Sequence, residues 1–316
     1  MKSMQAIVLS DFGGVENLLL TEIPHPVLAD DEVLVQVKAV SVNPVDIKTR
    51  NGKALAGRLE KENPLILGWD IAGVVKETGS KVGHFSPGDE VFGMVNFPGH
   101  GKAYAEYVAV PASHLALKPA NIDFAEAAAG TLAALTAWQA MVRHAKVTAG
   151  DRVLIHAAAG GVGHFAVQIA KQLGAYVIGT SSAKNREFVL SLGADEHVDY
   201  QAQAFESVVK PVDFVLDTIG GDYIDRSLET LKTDGTIVSI VSGMNEQVSE
   251  KARARGIKGL TMLVESSGDD MKWLADWFEK GQLKAHVSHT YPLNQMADAH
   301  RQVETGHTVG KVVVNV

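Results

Sequence analysis

The chain has 316 residues, 46% of them hydrophobic and 21% charged, with 30 glycines and a formal net charge of −8 at pH 7. That length supplies two sizeable cores, and the composition excludes a disordered or fibrous chain. A negative balance with dispersed lysines and arginines opposes the electrostatic contact that nucleic acid requires, so no nucleic-acid partner is expected.

The opening MKSMQAIVLSDFGG has no apolar stretch of signal-peptide length. No later run approaches the roughly 20 apolar residues of a membrane helix, and the expectation is a cytoplasmic protein with no membrane partner. With no cysteine, disulfides, thiolate nucleophiles and cysteine-ligated zinc are excluded.

Up to residue 122, short runs such as AIVLS, EVLVQVKAVSV, IAGVVKETG and AEYVAV are punctuated by Pro and Gly, the pattern of an all-β unit. From 123 to 264 the texture changes. DRVLIHA, YVIGTS, EHVDY, VDFVLDTI and GTIVSIV are rich in β-branched residues and most are separated by helical segments, which predicts βαβ units and a parallel sheet. The tail, 265–316, returns to strand, helix and strand and is expected to rejoin the first unit. The fold class is therefore α/β, with a β-rich domain of residues 1–122 and 265–316 and a doubly wound parallel-sheet domain of 123–264.

The stretch HAAAGGVGHFAVQIAKQLGAYVIGTSS, 156–182, reads as strand, glycine turn, amphipathic helix and second strand. Ala157, Gly160 and Gly163 stand three apart, with Gly160, Gly161, Val162 and Gly163 forming the turn. Glycines here let backbone N–H groups and a helix N-terminus approach a pyrophosphate, where orphan donors and the helix dipole favour negative charge. A tight packing turn without a ligand is the alternative, and the four further strands argue against it.

An NAD-preferring site usually carries Asp or Glu at the end of the second strand. Here the sequence is GTSSAKNRE, in which Thr180, Ser181 and Ser182 offer hydroxyls, Lys184 and Arg186 offer positive charge, and no carboxylate intervenes before Glu187. That setting suits a 2′-phosphate and predicts NADPH. The two cations also suit an exposed helix start.

The β-rich front, the AAAGGVG turn, LTAWQAM at 135–141 and GKVVV at 310–314 together resemble the medium-chain dehydrogenase/reductase superfamily, in particular its zinc-free quinone oxidoreductase branch, the relatives of zeta-crystallin. The resemblance spans essentially the whole chain. It implies a GroES-like catalytic domain around an inserted Rossmann domain, and a homodimer or homotetramer joined through a Rossmann edge strand, for which IKGLTMLVE near residue 260 is the candidate. A buried core strand is an equal reading of that run.

The zinc-dependent relatives use a cysteine after a first-domain strand and a histidine in a Gly-His-Glu run. This chain places Val42-Asn43 at the first position and Trp69-Asp70 at the second. No metal is expected, and His164, His300 and His307 read as core or surface residues.

In NPVDIKTRNG the resemblance gives Asn43 hydrogen bonds in the nicotinamide and substrate region, and Asp46 a part in shaping the loop. Lys48, where better-known quinone reductases carry tyrosine, is the candidate donor to a developing enolate, against a solvated loop lysine; Arg50 reads as structural. For the cofactor, the resemblance implies Thr136 near the nicotinamide ribose or phosphate, unless its own helix satisfies it. Tyr200 would reach the adenosine 2′-phosphate, or simply pack at an edge. Ile219 and Gly220, after the fourth strand, and SIVSG at 239–243 would face the nicotinamide half through the backbone, and Lys311 would contact the cofactor from the tail. Phe97 reads equally as a substrate wall or a loop anchor.

Without a metal, alcohol oxidation loses its Lewis acid, whereas hydride donation to an electron-poor acceptor survives. The expected activity is NADPH-dependent, zinc-independent reduction of a quinone or an α,β-unsaturated carbonyl, with a small-molecule substrate. An enoyl-thioester reductase and a non-catalytic NADPH-binding protein are the alternatives.

Overall fold

The structure, a computed structural model, describes residues 2–316 and falls into two compact units, one reaching to Leu135 and including Glu265–Val316, the other Thr136–Val264. The first begins with a hairpin of β1 (Ser3–Leu9) and β2 (Leu18–Pro24). It continues through β3 (Glu32–Val42), β4 (Asp70–Thr78), β5 (Glu90–Met94), β6 (Tyr107–Pro111) and β7 (Ala116–Leu117). The second unit holds β8 (Arg152–Ile155), β9 (Tyr176–Ser181), β10 (Glu196–Asp199), β11 (Val212–Asp217), β12 (Leu231–Ser239) and β13 (Lys258–Thr261). The chain then returns to the first unit as β14 (Val287–Pro292) and β15 (Lys311–Asn315).

In the first unit a seven-stranded sheet runs β14-β15-β3-β4-β5-β7, with β6 also paired to β3. Central β3 carries Val33, Val35, Val37, Val40 and Val42, all buried, while Gln36 and Lys38 between them are only partly buried. The tail strand β15 lies antiparallel to β3, with Val312 opposite Val42, so the two ends of the chain complete one sheet as expected. The helix Phe124–Ala129 starts with a capping box of Asp123 and Glu126 and packs on β3 and β4. Residues 123–135 therefore belong with the first unit, where the sequence pattern places the change at 123: a helix begins there, and its apolar face covers the β-rich sheet.

The second unit is a six-stranded sheet in the order β10-β9-β8-β11-β12-β13, parallel throughout. Numbered within the sheet this is 3-2-1-4-5-6, and the direction of winding reverses between β8 and β11. Leu154, Ile178, Val198, Val215 and Ile237 from the strands pack with Phe205, Ile224, Leu228 and Val248 from the helices. Strand β13, expected to join subunits, is the edge strand. Strand β2, LLLTEIP, lacks the alternation of a half-buried strand and is mostly exposed.

Candidate active site

Ligands of open α/β sheets bind beyond the carboxyl ends of the strands at the point where winding reverses. The turn after β8 occupies that place. Ala157 takes a left-handed conformation, φ +46°, which costs an alanine about 1 kcal/mol. The helix Gly163–Gln172 then starts so close behind that a Cβ on Gly163 would fall 2.1 Å from the Ala157 carbonyl oxygen. Only glycine lets helix and turn approach this far. The turn Gly160–Gly163 and the start of this ten-residue buried helix fit a pyrophosphate.

His156, which the motif reading passes over, organises the crevice. Its Nδ1 is 3.1 Å from Thr180 Oγ1, its Nε2 2.9 Å from Ser227 Oγ, and its carbonyl accepts from Thr218 Oγ1 at 2.8 Å. The imidazole thus ties β8 to β9 and to a covering helix, and the backbone carbonyl of the same residue ties it to the turn after β11. Burial pushes its pKa down to about 4, against the pull of the Asp217 carboxylate. The expectation that Thr180 offers its hydroxyl to a ligand is corrected: Thr180 is buried and its hydroxyl is engaged by His156.

At the carboxyl end of β9, Ser181 Oγ meets His197 Nε2 at 2.8 Å, while Tyr200 N reaches Ser181 O at 3.4 Å. Ser182 precedes a short turn, Ala183–Asn185, carrying Lys184, and Arg186 opens the helix Arg186–Ser191. Desolvation and then the nearby Arg186 charge depress the His197 pKa, with Asp199 opposing. Tyr200 is exposed. Ser182, Lys184, Arg186 and Tyr200 are therefore grouped at this strand end, whereas the expectation that Ser181 offers its hydroxyl to a ligand is corrected as for Thr180: Ser181 is buried, and its hydroxyl is engaged by His197 and the Ser182 carbonyl.

The turn after β11 is held by Asp217. Its Oδ1 accepts from Ile219 N at 3.0 Å and Gly220 N at 2.9 Å, and its Oδ2 from Ser239 Oγ at 2.5 Å. The backbone N–H groups of Ile219 and Gly220 are thus engaged internally, the Gly220 carbonyl accepts from Tyr223 N at 3.3 Å, and Met244 packs against Gly220, φ +77°, where a Cβ would fall 2.8 Å from the Met244 Cβ. Thr136 is buried on the helix Leu132–Trp138.

In the first unit, Asn43, Asp46 and Lys311 come together from distant parts of the chain. Asn43 caps the helix Pro44–Arg50 and gives its N–H to Asp46 Oδ2 at 2.6 Å. Its side-chain Nδ2 donates to Asp70 Oδ2 at 2.7 Å, and its Oδ1 accepts from Lys311 Nζ. Asp70 Oδ1 accepts from Leu132 N at 2.9 Å. All four side chains are buried. Lys311 is accordingly corrected from a tail cation reaching for the cofactor to a buried counter-charge: β15 delivers it to the end of β3, where it also donates to the Val42 carbonyl at 3.3 Å.

Burial raises the pKa of Asp70 and lowers that of Lys311, and their mutual attraction opposes both shifts. Asp46 is pushed up to about 7, chiefly by burial, with the Asn43 N–H favouring and Asp70 disfavouring its charge. Its part in shaping the loop is that of a cap, at N3 of the helix. Lys48 is half-buried on that helix, and its carbonyl accepts from Lys53 N at 2.8 Å. Arg50 is structural as expected, donating to Gly13 O at 3.0 Å and pairing with Glu304. Phe97 is buried, with its N–H on Ser266 Oγ at 3.0 Å and its ring edge-on to Trp69, the contacts of a loop anchor.

The buried histidines make stability pH-dependent. His300 is pushed down to about 3, by burial and then by Arg50, and His156 to about 4. Between those values and the ordinary 6.5 the unfolded chain binds protons that the folded chain refuses, so these groups' contribution is lost as pH falls through that window. Asp46 works the opposite way between about 3.8 and about 7, where the folded chain holds the extra proton. Two histidines against one carboxyl should lower the melting temperature by several degrees from pH 6.5 to 4.5. A thermal melt of His156→Gln should show a flatter dependence.

The residues do not fit a catalytic zinc. The Asn43 side chain is engaged on both atoms, and Trp69 is buried with Nε1 donating to Gly99 O at 2.7 Å. Among the described residues no group of three or more His, Asp or Glu side chains is placed to hold a metal ion.

Residues 29–120 match the alcohol dehydrogenase GroES-like domain, and 192–314 match the zinc-binding dehydrogenase family. The chloroplastic NADPH-dependent alkenal/one oxidoreductase of Arabidopsis thaliana is 38% identical over 323 residues, covering 99% of this chain and 80% of that one. The chain belongs to the medium-chain dehydrogenase/reductase superfamily. Among solved members, the quinone oxidoreductase from Coxiella burnetii has a TM-score of 0.95 at 38% identity, with 100% of both chains covered. The CurK enoyl reductase has a TM-score of 0.89 at 30% identity, covering 100% of this chain and 99% of that one. As a superfamily member the protein is an oxidoreductase with a GroES-like and a Rossmann unit.

Proposed function

We propose that the protein is an NADPH-dependent, zinc-independent reductase of α,β-unsaturated carbonyls or quinones. The observation that carries this is the strand end at 182–186, where Ser182, the nearby His197 and two cations stand where a carboxylate would select NAD. Relatives named as alkenal/one and quinone oxidoreductases support the acceptor class.

When bound, NADPH supplies the hydride. The turn Gly160–Gly163 would take the pyrophosphate, Lys184 and Arg186 the 2′-phosphate, and the turn after β11, held rigid by Asp217, would face the nicotinamide half. An enone or quinone suits a site without a Lewis acid because the added charge delocalises onto its carbonyl oxygen, which needs only a hydrogen-bond donor and a proton. Lys48 is our candidate donor, with water the other source.

Oxidation of NADPH and NADH should be followed with 9,10-phenanthrenequinone, a small enone, a crotonyl thioester and no acceptor, with chelator throughout. Acceptor-dependent, NADPH-preferring, chelator-resistant turnover on the enone or quinone is the expected result. Turnover on the thioester alone would make the protein an enoyl reductase. Tight NADPH binding without turnover would make it a nucleotide-binding protein. In Lys184→Ala/Arg186→Ala the NADPH dissociation constant should rise by about tenfold to a hundredfold, from two lost charge-assisted contacts, and that for NADH should stay put.

A further inference from the structure

We propose that Arg50, His300 and Tyr104 form a one-directional hydrogen-bond chain ending on Asp46, and that Tyr104 and His300 are thereby positioning residues for the loop that carries Asn43 and Lys48. Its functional part rests on the reductase reading; its chemistry does not. Arg50 Nη1 lies 3.3 Å from His300 Nδ1, and His300 Nε2 lies 3.1 Å from Tyr104 Oη. The Tyr104 hydroxyl lies near the Asp46 carboxyl, whose buried Oδ1 has no hydrogen-bond partner and is the free acceptor on which the chain would end. Arg50, Tyr104, His300 and Asp46 are all buried.

The direction follows from valence. A guanidinium has only donors, so His300 Nδ1 must accept, and a neutral ring then carries its proton on Nε2. That proton goes to Tyr104 Oη, which leaves the phenol proton for Asp46 Oδ1. Asp46 Oδ2 already accepts the Asn43 N–H. With the phenol proton turned to Oδ1 both carboxylate oxygens face donors, and a protonated Asp46 would have to aim its own hydrogen at one of them. Reversing the chain would set an Nδ1–H against an arginine N–H. Arg50 also closes the outer end, because it pairs with Glu304 but gives up no proton, so the chain is a fixed set of donors and not a wire to solvent.

The groups facing Asp46 compete. Asn43 N–H, Tyr104 and the Lys311 ammonium favour its charge, whereas burial and Asp70 disfavour it. Two carboxylates share one ammonium, so the phenol proton matters. Asp46 and Arg50 stand four apart on the helix Pro44–Arg50, and the chain joins them through the helix Met296–Glu304 and the Tyr104 segment. Both ends of the short helix are thus held from one side.

Long-range nitrogen–proton spectra of the histidines, with His300 assigned by its loss in His300→Gln, should show His300 as the neutral Nε2–H tautomer from pH 6 to 8. The Nδ1–H tautomer or an imidazolium at pH 6 would overturn the chain, and this readout needs no acceptor. The Asp46 carboxyl carbon titration should move up by about one unit or more in Tyr104→Phe, which keeps the ring; an unmoved midpoint would equally overturn it. In that variant the acid limb of kcat/KM should move up with it, lowering kcat/KM on the acid side about tenfold per unit, while the NADPH dissociation constant stays the same. A shifted carboxyl with an unshifted acid limb would remove the positioning role. A wild-type chain that reduces no acceptor would sink the reductase reading, and the spectra would still decide the chain.

Discussion

Asp70→Ala is expected to destabilise the GroES-like unit by about 3–5 kcal/mol, read as a lower urea midpoint at unchanged slope. Asp70 is buried and is the counter-charge that burial demands for Lys311, which has no other full negative charge nearby except Asp46. Removing it leaves an ammonium in a dry site, with Leu132 N deprived of its acceptor and Asn43 Nδ2 left with only the Ser41 carbonyl at 3.4 Å. An orphaned donor adds about 1–3 kcal/mol of desolvation to the loss. Adding Lys311→Met should recover a large part, because the cost lies in the unpaired charge more than in the missing bond. A loss under about 1 kcal/mol for Asp70→Ala would mean that the pair contributes no more than an exposed ion pair.

Gly163→Ala should abolish NADPH binding at concentrations that saturate the wild type, measured by nucleotide fluorescence. The new Cβ would meet the Ala157 carbonyl at 2.1 Å and Ala158 Cα at 2.8 Å, both backbone atoms that cannot rotate aside. Either the helix Gly163–Gln172 backs away from the turn, separating its N-terminus from the pyrophosphate position, or the turn opens and moves His156. An overpacking cost of about 1–3 kcal/mol accompanies the change. The contrast is Gly281→Ala, at an open position remote from the turn in sequence, where φ +67° strains the backbone but no atom lies within 4 Å. That variant should lose some stability and keep the cofactor. Equal loss of NADPH in both would show that the close approach at Gly163 is not what the ligand requires.

Much of the second unit is legible along the chain, since its signals are local. A buried parallel strand must be apolar over a continuous run, as in YVIGTS and VDFVLD, and a phosphate turn must concentrate glycines over a few residues. The grouping of Ser181, Ser182, Lys184, Arg186 and Tyr200 follows from the same locality, because successive parallel strands bring their carboxyl ends to one edge. His197 escaped notice because its partner, Ser181, is sixteen residues away and is met only through the β9–β10 register.

The sequence by itself determined the two kinds of unit and the return of the tail to the first of them, each through residue type at a local position. Tertiary structure alone decided that Lys311 is a buried counter-charge, that Thr180 belongs to His156, and that Tyr104 and His300 stand behind Asp46. Those assignments depend on partners 24 to 268 residues apart, and no periodicity or spacing encodes which buried polar atom a strand from the far end of the chain will satisfy. Burial is what gives them their energy, because away from water each charge and donor must find its partner inside the fold.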